Sequence, residues 1–151
     1  MRYIIFLLCA FTNVALGCNN TVLDVNSAEG ISANIFLKDN DSLSVSILND
    51  GNVLSTEDID VSSEKKNHII IEDYNRDGYK DFSLWHLDEG MGTHKIYRLF
   101  IFSKTEKKFK EIKPTCGDDF VNIRTDGGDL INVIYDDNAP KLCTMPLKTL
   151  K

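Results

Sequence analysis

Residues 72–85, EDYNRDGYKDFSLW, decide the fold class. Ile69-Ile70-Ile71 precedes the acidic centre of this stretch and Phe82-Ser83-Leu84-Trp85 follows it. Both flanks are β-branched or aromatic and too short for a helical apolar stripe, so the acidic residues join two strands. Outward from there, alternating or short apolar runs recur at 31–37, 43–48, 68–72, 82–87, 95–103, 109–112, 120–124 and 130–135. Between them stand KDND, NDGN, RDG, DEGMG, SKTEKK and TDGGD, whose Asn, Asp and Gly tolerate the positive φ of tight turns. VSSEKK at 61–66 reads as a short helix or a loose loop. Residues 99–102, LFIF, are apolar without alternation, which implies burial on both faces. The expected architecture is an antiparallel all-β domain, either a sandwich or a propeller-like meander.

The N-terminal MRYIIFLLCAFTNVALG reads as a signal peptide over 1–17, with Arg2 as its basic end and Ala15-Leu16-Gly17 as its cleavage site. Cleavage removes 17 of 151 residues and leaves 134, enough for one domain. Residues 18–29 are polar and read as a tether or an edge strand; 30–151 form the β domain. Loss of Arg2 leaves 16 Lys and Arg against 23 acids, a net charge of about −7. That charge excludes nucleic acid as a partner and suits a basic protein. Cys9 leaves with the signal, so three cysteines remain in an oxidising compartment. Cys18 directly follows the cleavage site, as in a bacterial lipobox, although Leu and the small residue stand in swapped positions. Acylation of Cys18 would be the chain's membrane attachment, and Cys116 and Cys143 would then pair as a disulfide.

Three carboxylates and an amide within nine residues must repel one another unless a cation sits between them. Calcium takes a cage of hard oxygens, supplied by a loop at positions 1, 3 and 5 around a glycine at 6, with a backbone carbonyl at 7. Asp73, Asn75, Asp77, Gly78 and Tyr79 meet that spacing, and Asp81 at position 9 closes the shell. An EF-hand would need Glu at position 12, where Leu84 stands, so a helix–loop–helix is excluded. An Asx-rich hairpin without metal is the plainer alternative.

DYNRDGYKDF at 73–82 resembles the calcium loop of FG-GAP and integrin-like β repeats. With the strand IYRLFIF and the run KKFKEI, residues 69–113 resemble a group of small exported bacterial proteins that carry one such loop. Some members of that group are periplasmic immunity proteins that inhibit lysozyme-like, peptidoglycan-degrading effectors. The resemblance implies a binding role, a secreted peptidoglycan hydrolase as partner, and a periplasmic location, lipid-anchored to the outer membrane if Cys18 is acylated. A single copy of the loop argues against a full propeller.

No convergent catalytic set is present. The three histidines, His68, His86 and His94, match no zinc spacing, and no nucleophile elbow occurs. Asp88 and Glu89 are adjacent, so on a strand they would face opposite ways rather than act as a glycosidase pair. The stretch DEGMGTH at 88–94 is too long for a tight hairpin. It reads either as a plain connection or as a projecting loop whose Asp88, Glu89, Met91, Thr93 and His94 meet a partner's cleft. On the second reading, the calcium loop one strand earlier would fix the direction in which 88–94 projects. Two functions follow: an inhibitor of a peptidoglycan hydrolase, or a calcium-dependent surface or adhesion module that binds an envelope or host ligand.

Overall fold

A computed structural model describes residues 19–137 and 139–148. The expected signal peptide and Cys18 lie outside the described residues. Twelve strands form among the described residues. They are β1 (Asn19–Asn26), β2 (Ile31–Lys38), β3 (Ser42–Asn49), β4 (Asn52–Asp60), β5 (His68–Glu72), β6 (Asp81–Leu87), β7 (Lys95–Ser103), β8 (Lys108–Ile112), β9 (Phe120–Val121), β10 (Arg124–Asp126), β11 (Asp129–Asp136) and β12 (Ala139–Pro146). A single 3₁₀ turn, Ser27–Glu29, links β1 to β2. The strands pair antiparallel into a first sheet β1-β2-β3-β4, a central sheet β5-β6-β7-β8 with β9 on β7, and a third sheet β10-β11-β12.

The central sheet is buried twice, and β7 shows why. Side chains alternate along a strand. Phe100 and Phe102 therefore join Phe82 and Leu84 in a core against Leu23, Ile35, Leu43 and Ile47 of the first sheet. Leu99 and Ile101 point the other way, into a second core with Phe120, Leu130 and Met145. The run at 99–102 is thus buried on both faces, as its lack of alternation implies. The architecture is a layered all-β sandwich without a closed barrel or propeller; the propeller-like alternative is set aside.

Two strands escape the apolar pattern. Every residue of β4, NVLSTEDID, is exposed except Ile59, and its extended state comes from pairing with β3. Most of β12, APKLCTMP, is likewise exposed and is held by its full register with β11. β1 occupies 19–26 as an edge strand, so that part of 18–29 is not a tether. The run 120–124 is not one strand: it turns at Asn122, φ 46°, and divides between the central and third sheets.

The segment 61–66 is a loop rather than a helix, and it is pinned in place. Asn40 Nδ2 donates to the carbonyls of Ser63 and Lys65, at 2.8 Å each, while Asn40 Oδ1 accepts from Asn67 N at 2.6 Å. Asn67 Nδ2 in turn donates to the carbonyls of Asn40 and Val61. Two amide side chains thus do the work of a short ladder.

Arg98 fastens the layers at one rim. Its Nε and Nη2 donate to the two Glu111 carboxylate oxygens at 2.8 Å each, and its Nη1 donates to the Asp60 carbonyl at the end of β4. The bidentate Arg98 guanidinium pulls the Glu111 carboxyl down to about 2. On the third sheet, Cys116 and Cys143 form a disulfide with Cα atoms 6.3 Å apart. Buried Asn132 donates to the Cys116 and Asp119 carbonyls and accepts from Val121 N, which shapes the chain between the disulfide and β9.

Two outcomes test this arrangement. Phe100→Ala and Leu99→Ala should each cost about 2 to 5 kcal/mol in denaturant unfolding, because each empties a core. A cost below about 1 kcal/mol for Leu99→Ala would show that the third sheet does not cover the central one. Non-reducing peptide mass spectrometry should find Cys116 linked to Cys143. Replacing both by Ser should destabilise the domain by about 3 to 4 kcal/mol on the chain-entropy model, and free alkylation of both without reductant would refute the bridge.

Candidate functional site

The acidic loop spans 73–80 between β5 and β6 and closes on its own backbone. Asp73 Oδ1 accepts from Asp77 N at 3.1 Å, and its Oδ2 accepts from Gly78 N at 3.0 Å. Asn75 Oδ1 also takes Asp77 N, at 3.2 Å, while Asn75 Nδ2 donates to Asp77 Oδ2 at 2.9 Å. Asp77 Oδ1 accepts from Tyr79 N at 2.9 Å. These bonds curl the chain through left-handed backbone at Arg76, φ 58°, and Gly78, φ 88°. The glycine adopts that conformation at no steric cost.

Asp81 begins β6 and is fully buried. Its Oδ2 accepts from Tyr74 N at 2.9 Å and its Oδ1 from Phe102 N at 2.8 Å. The carboxylate thereby extends the β6–β7 ladder one step beyond its last backbone pair, Phe82 with Phe100. Burial pushes the Asp81 carboxyl up to about 7, and the charges of Asp77 and Asp73 push the same way against the two N–H donors.

The loop is also tied to its surroundings. Lys80 N donates to Val25 O of β1 at 2.9 Å. Tyr79 stacks on Phe102 with centroids 5.6 Å apart and donates its hydroxyl to Glu29 Oε1. Lys104 donates to that same oxygen at 2.6 Å. Beside the loop opens a depression of about 620 Å³ lined by Asn75, Arg76, Asp77, Tyr79, Lys104 and Lys148, among others.

The donor chemistry fits calcium. Asp73, Asn75, Asp77 and Asp81 offer side-chain oxygens and Tyr79 a carbonyl, and an ionised carboxylate oxygen keeps acceptor capacity beyond one N–H. The like charges around Asp81 would be offset by a cation there. The hydrogen bonds within the loop are equally those that an Asx turn makes without a metal.

The 88–94 loop lies at the other end of β6, roughly 23 Å away for a seven-residue strand. Asp88 N donates to His94 O at 2.8 Å, and His94 N donates to Asp88 Oδ1 at 2.7 Å. The His94 N–H, helped by those of Thr93 and Gly92, holds the Asp88 carboxyl below its ordinary value. Glu89 Oε1 accepts from Glu64 N at 3.2 Å. His94 meets Asn122 Nδ2 at 3.0 Å through Nδ1, and its ring lies 5.1 Å from that of Tyr135. Met91 stands out at 86% exposure, and Thr93 is exposed beside it.

The two loops are therefore not coupled through one hairpin. The direction of 88–94 is set by Asp88, Glu64 and Asn122, not by the acidic loop, because consecutive turns of a meander fall at opposite ends of the shared strand. Asp88 and Glu89 spend carboxylate oxygens on the N–H groups of His94 and Glu64. The anchors Glu64, Asn122, Glu29 and Lys104 are 25 to 75 residues from their partners in sequence, beyond the reach of any spacing motif. No family model matches the chain, and no curated protein or solved structure gives a significant match.

Calcium affinity can be read as stability. With free calcium at ten to a hundred times the dissociation constant, folding gains about 1.4 to 2.7 kcal/mol, a melting shift of several degrees. Asp77→Ala should remove most of that shift. Equal melting temperatures in calcium and in chelator would leave the loop as a metal-free Asx turn.

Proposed function

We propose that the mature chain is an exported, calcium-stabilised binding protein that inhibits a lysozyme-like, peptidoglycan-degrading enzyme in the periplasm. The 88–94 loop carries this reading: it is closed by reciprocal Asp88–His94 hydrogen bonds while Met91 stands 86% exposed at its tip. A loop already held in shape loses little freedom on entering a cleft, and an exposed methionine fills irregular apolar pockets. Met91 is the anchor and Thr93 a rim contact. Asp88, Glu89 and His94 hold the loop, and the remaining acceptor sites and negative charge of Asp88 and Glu89 face a basic cleft, with His94 beside them. A net charge of −6 for the full sequence speeds encounter with a basic enzyme in a salt-dependent manner.

Calcium in the 73–80 loop serves the fold in this proposal, by neutralising Asp73, Asp77 and Asp81 where the loop meets β1 and the central sheet. The resemblance of that loop to FG-GAP-type loops, and of 69–113 to exported immunity proteins, supports the same reading. The 620 Å³ depression beside the loop favours a second reading, a surface or adhesion module that takes an envelope or host ligand against Arg76, Lys104 and Lys148. Neither reading needs catalysis by this chain.

Turbidity clearance of peptidoglycan by a secreted lysozyme-like enzyme encoded beside this chain separates the two. Clearance should slow in proportion to added protein. Met91→Ala should weaken inhibition by about tenfold or more, the scale of an interface anchor, with melting unchanged. Asp88→Ala should weaken it through a loosened loop, visible as faster amide exchange at His94. Unchanged clearance with excess protein and calcium would overturn the inhibitor reading in favour of the ligand-binding module.

A further inference from the structure

We propose that β4 is a docking edge, at which an extended basic segment of a partner protein adds as a fifth strand to the first sheet. This surface is separate from the 88–94 loop and goes beyond the inhibitor reading. An edge strand leaves alternate N–H and C=O groups unpaired, and natural proteins protect such edges by shortness, lysine, proline, bulges or cover. The other edges here are protected in those ways. β5, β9 and β10 have five, two and three residues. β8 carries Lys108 and Lys110, and β12 carries Pro140, Lys141 and Pro146. β1 is bulged between Asp24 and Asn26, and its Val25 carbonyl is taken by Lys80 N.

Along its second half β4 has only its acids and, at Asp60, the Arg98 contact as protection. It is nine residues long, without Pro, Lys or Arg, and its one irregularity falls at Leu54, which leaves residues 55–60 in continuous register with β3. Beyond β3, hydrogen bonds to β4 among the described residues are confined to Asp60, reached by Arg98 and Ser62. Eight of its nine residues are exposed, and only Ile59 packs on the first core.

Charge selects the occupant. Glu57, Asp58 and Asp60 lie within four residues, and among the described residues no ion pair reaches Glu57 or Asp58. A second copy pairing through β4 would bring six acids and no base into one two-stranded ribbon, where like charges destabilise cross-strand neighbours. A basic strand removes that repulsion and adds opposite-charge pairs. Exposed Val53 and Leu54 at the other end would meet apolar residues of the same segment. Main-chain bonds would supply affinity and the charge pattern register.

The test uses a synthetic ten-residue peptide, lysine-rich in one half and valine/threonine-rich in the other, against a control N-methylated at alternate residues. The control has the same charge but lacks half the N–H donors. Hydrogen exchange of the full mature protein should slow along residues 55–60 with the first peptide and not with the second. Glu57→Lys/Asp58→Lys should weaken binding by about tenfold while the melting temperature holds. Equal protection by both peptides would reduce the effect to loose charge attraction and overturn the proposal. So would absence of protection at millimolar peptide, or concentration-dependent self-association that protects β4 without peptide.

Discussion

A sheet that is apolar on both faces has to be covered twice, and the rest of this structure follows from that requirement. Phe100 and Phe102 need the first sheet, while Leu99 and Ile101 need the third. Neither cover is itself apolar on both sides: the outward faces of β2 and β3 carry Ser32, Asn34, Ser44 and Ser46, and most of β12 in the third sheet is exposed, Lys141 and Thr144 included. The chain therefore builds its outer layers as meanders on either side of the central strands. Each turn between strands is then forced to the rim, where polar residues can be hydrated.

Where the layers meet, buried polar groups replace backbone pairing that the sheets cannot supply. Asp81 accepts two backbone N–H groups in a site without solvent exposure, and Tyr74 bonds Ser83 beside it at 2.8 Å. Asn132 does the same for the chain after the disulfide, and Asn40 with Asn67 for the 61–67 connection. An unmade hydrogen bond inside a core is costly, so these side chains specify one path for each connection. Arg98 adds a charge-assisted clamp from the central sheet to β4.

The meander also separates the surfaces proposed here to bind. The acidic loop and its depression lie at one end of β6, the 88–94 loop lies at the other, and β4 lies along a sheet edge. A cation at the first, as proposed, would stabilise the fold without shaping the second. A partner strand at β4 would leave both loops free. Three surfaces of different chemistry on one small domain allow each to be altered alone by substitution.

By itself the sequence determined the all-β class, most of the strands that carry alternating apolar residues and the double burial at 99–102; Cys116–Cys143 was an expectation from the cysteine count, and the structure forms that bridge. Alternation and turn residues are local signals, and local signals survive folding. The spacing of Asp73, Asn75, Asp77 and Asp81 also marked a loop dense in oxygen donors. Only the tertiary structure decided that β4 and β12 are strands, because their extended state comes from pairing with β3 and β11 rather than from their own residues. It decided, too, that 120–124 divides between two sheets and that the two loops project from opposite ends of β6. Asp88 and Glu89 read as free acids along the chain, yet they bond His94 N and Glu64 N, since a carboxylate's partner is set by what lies near it in space.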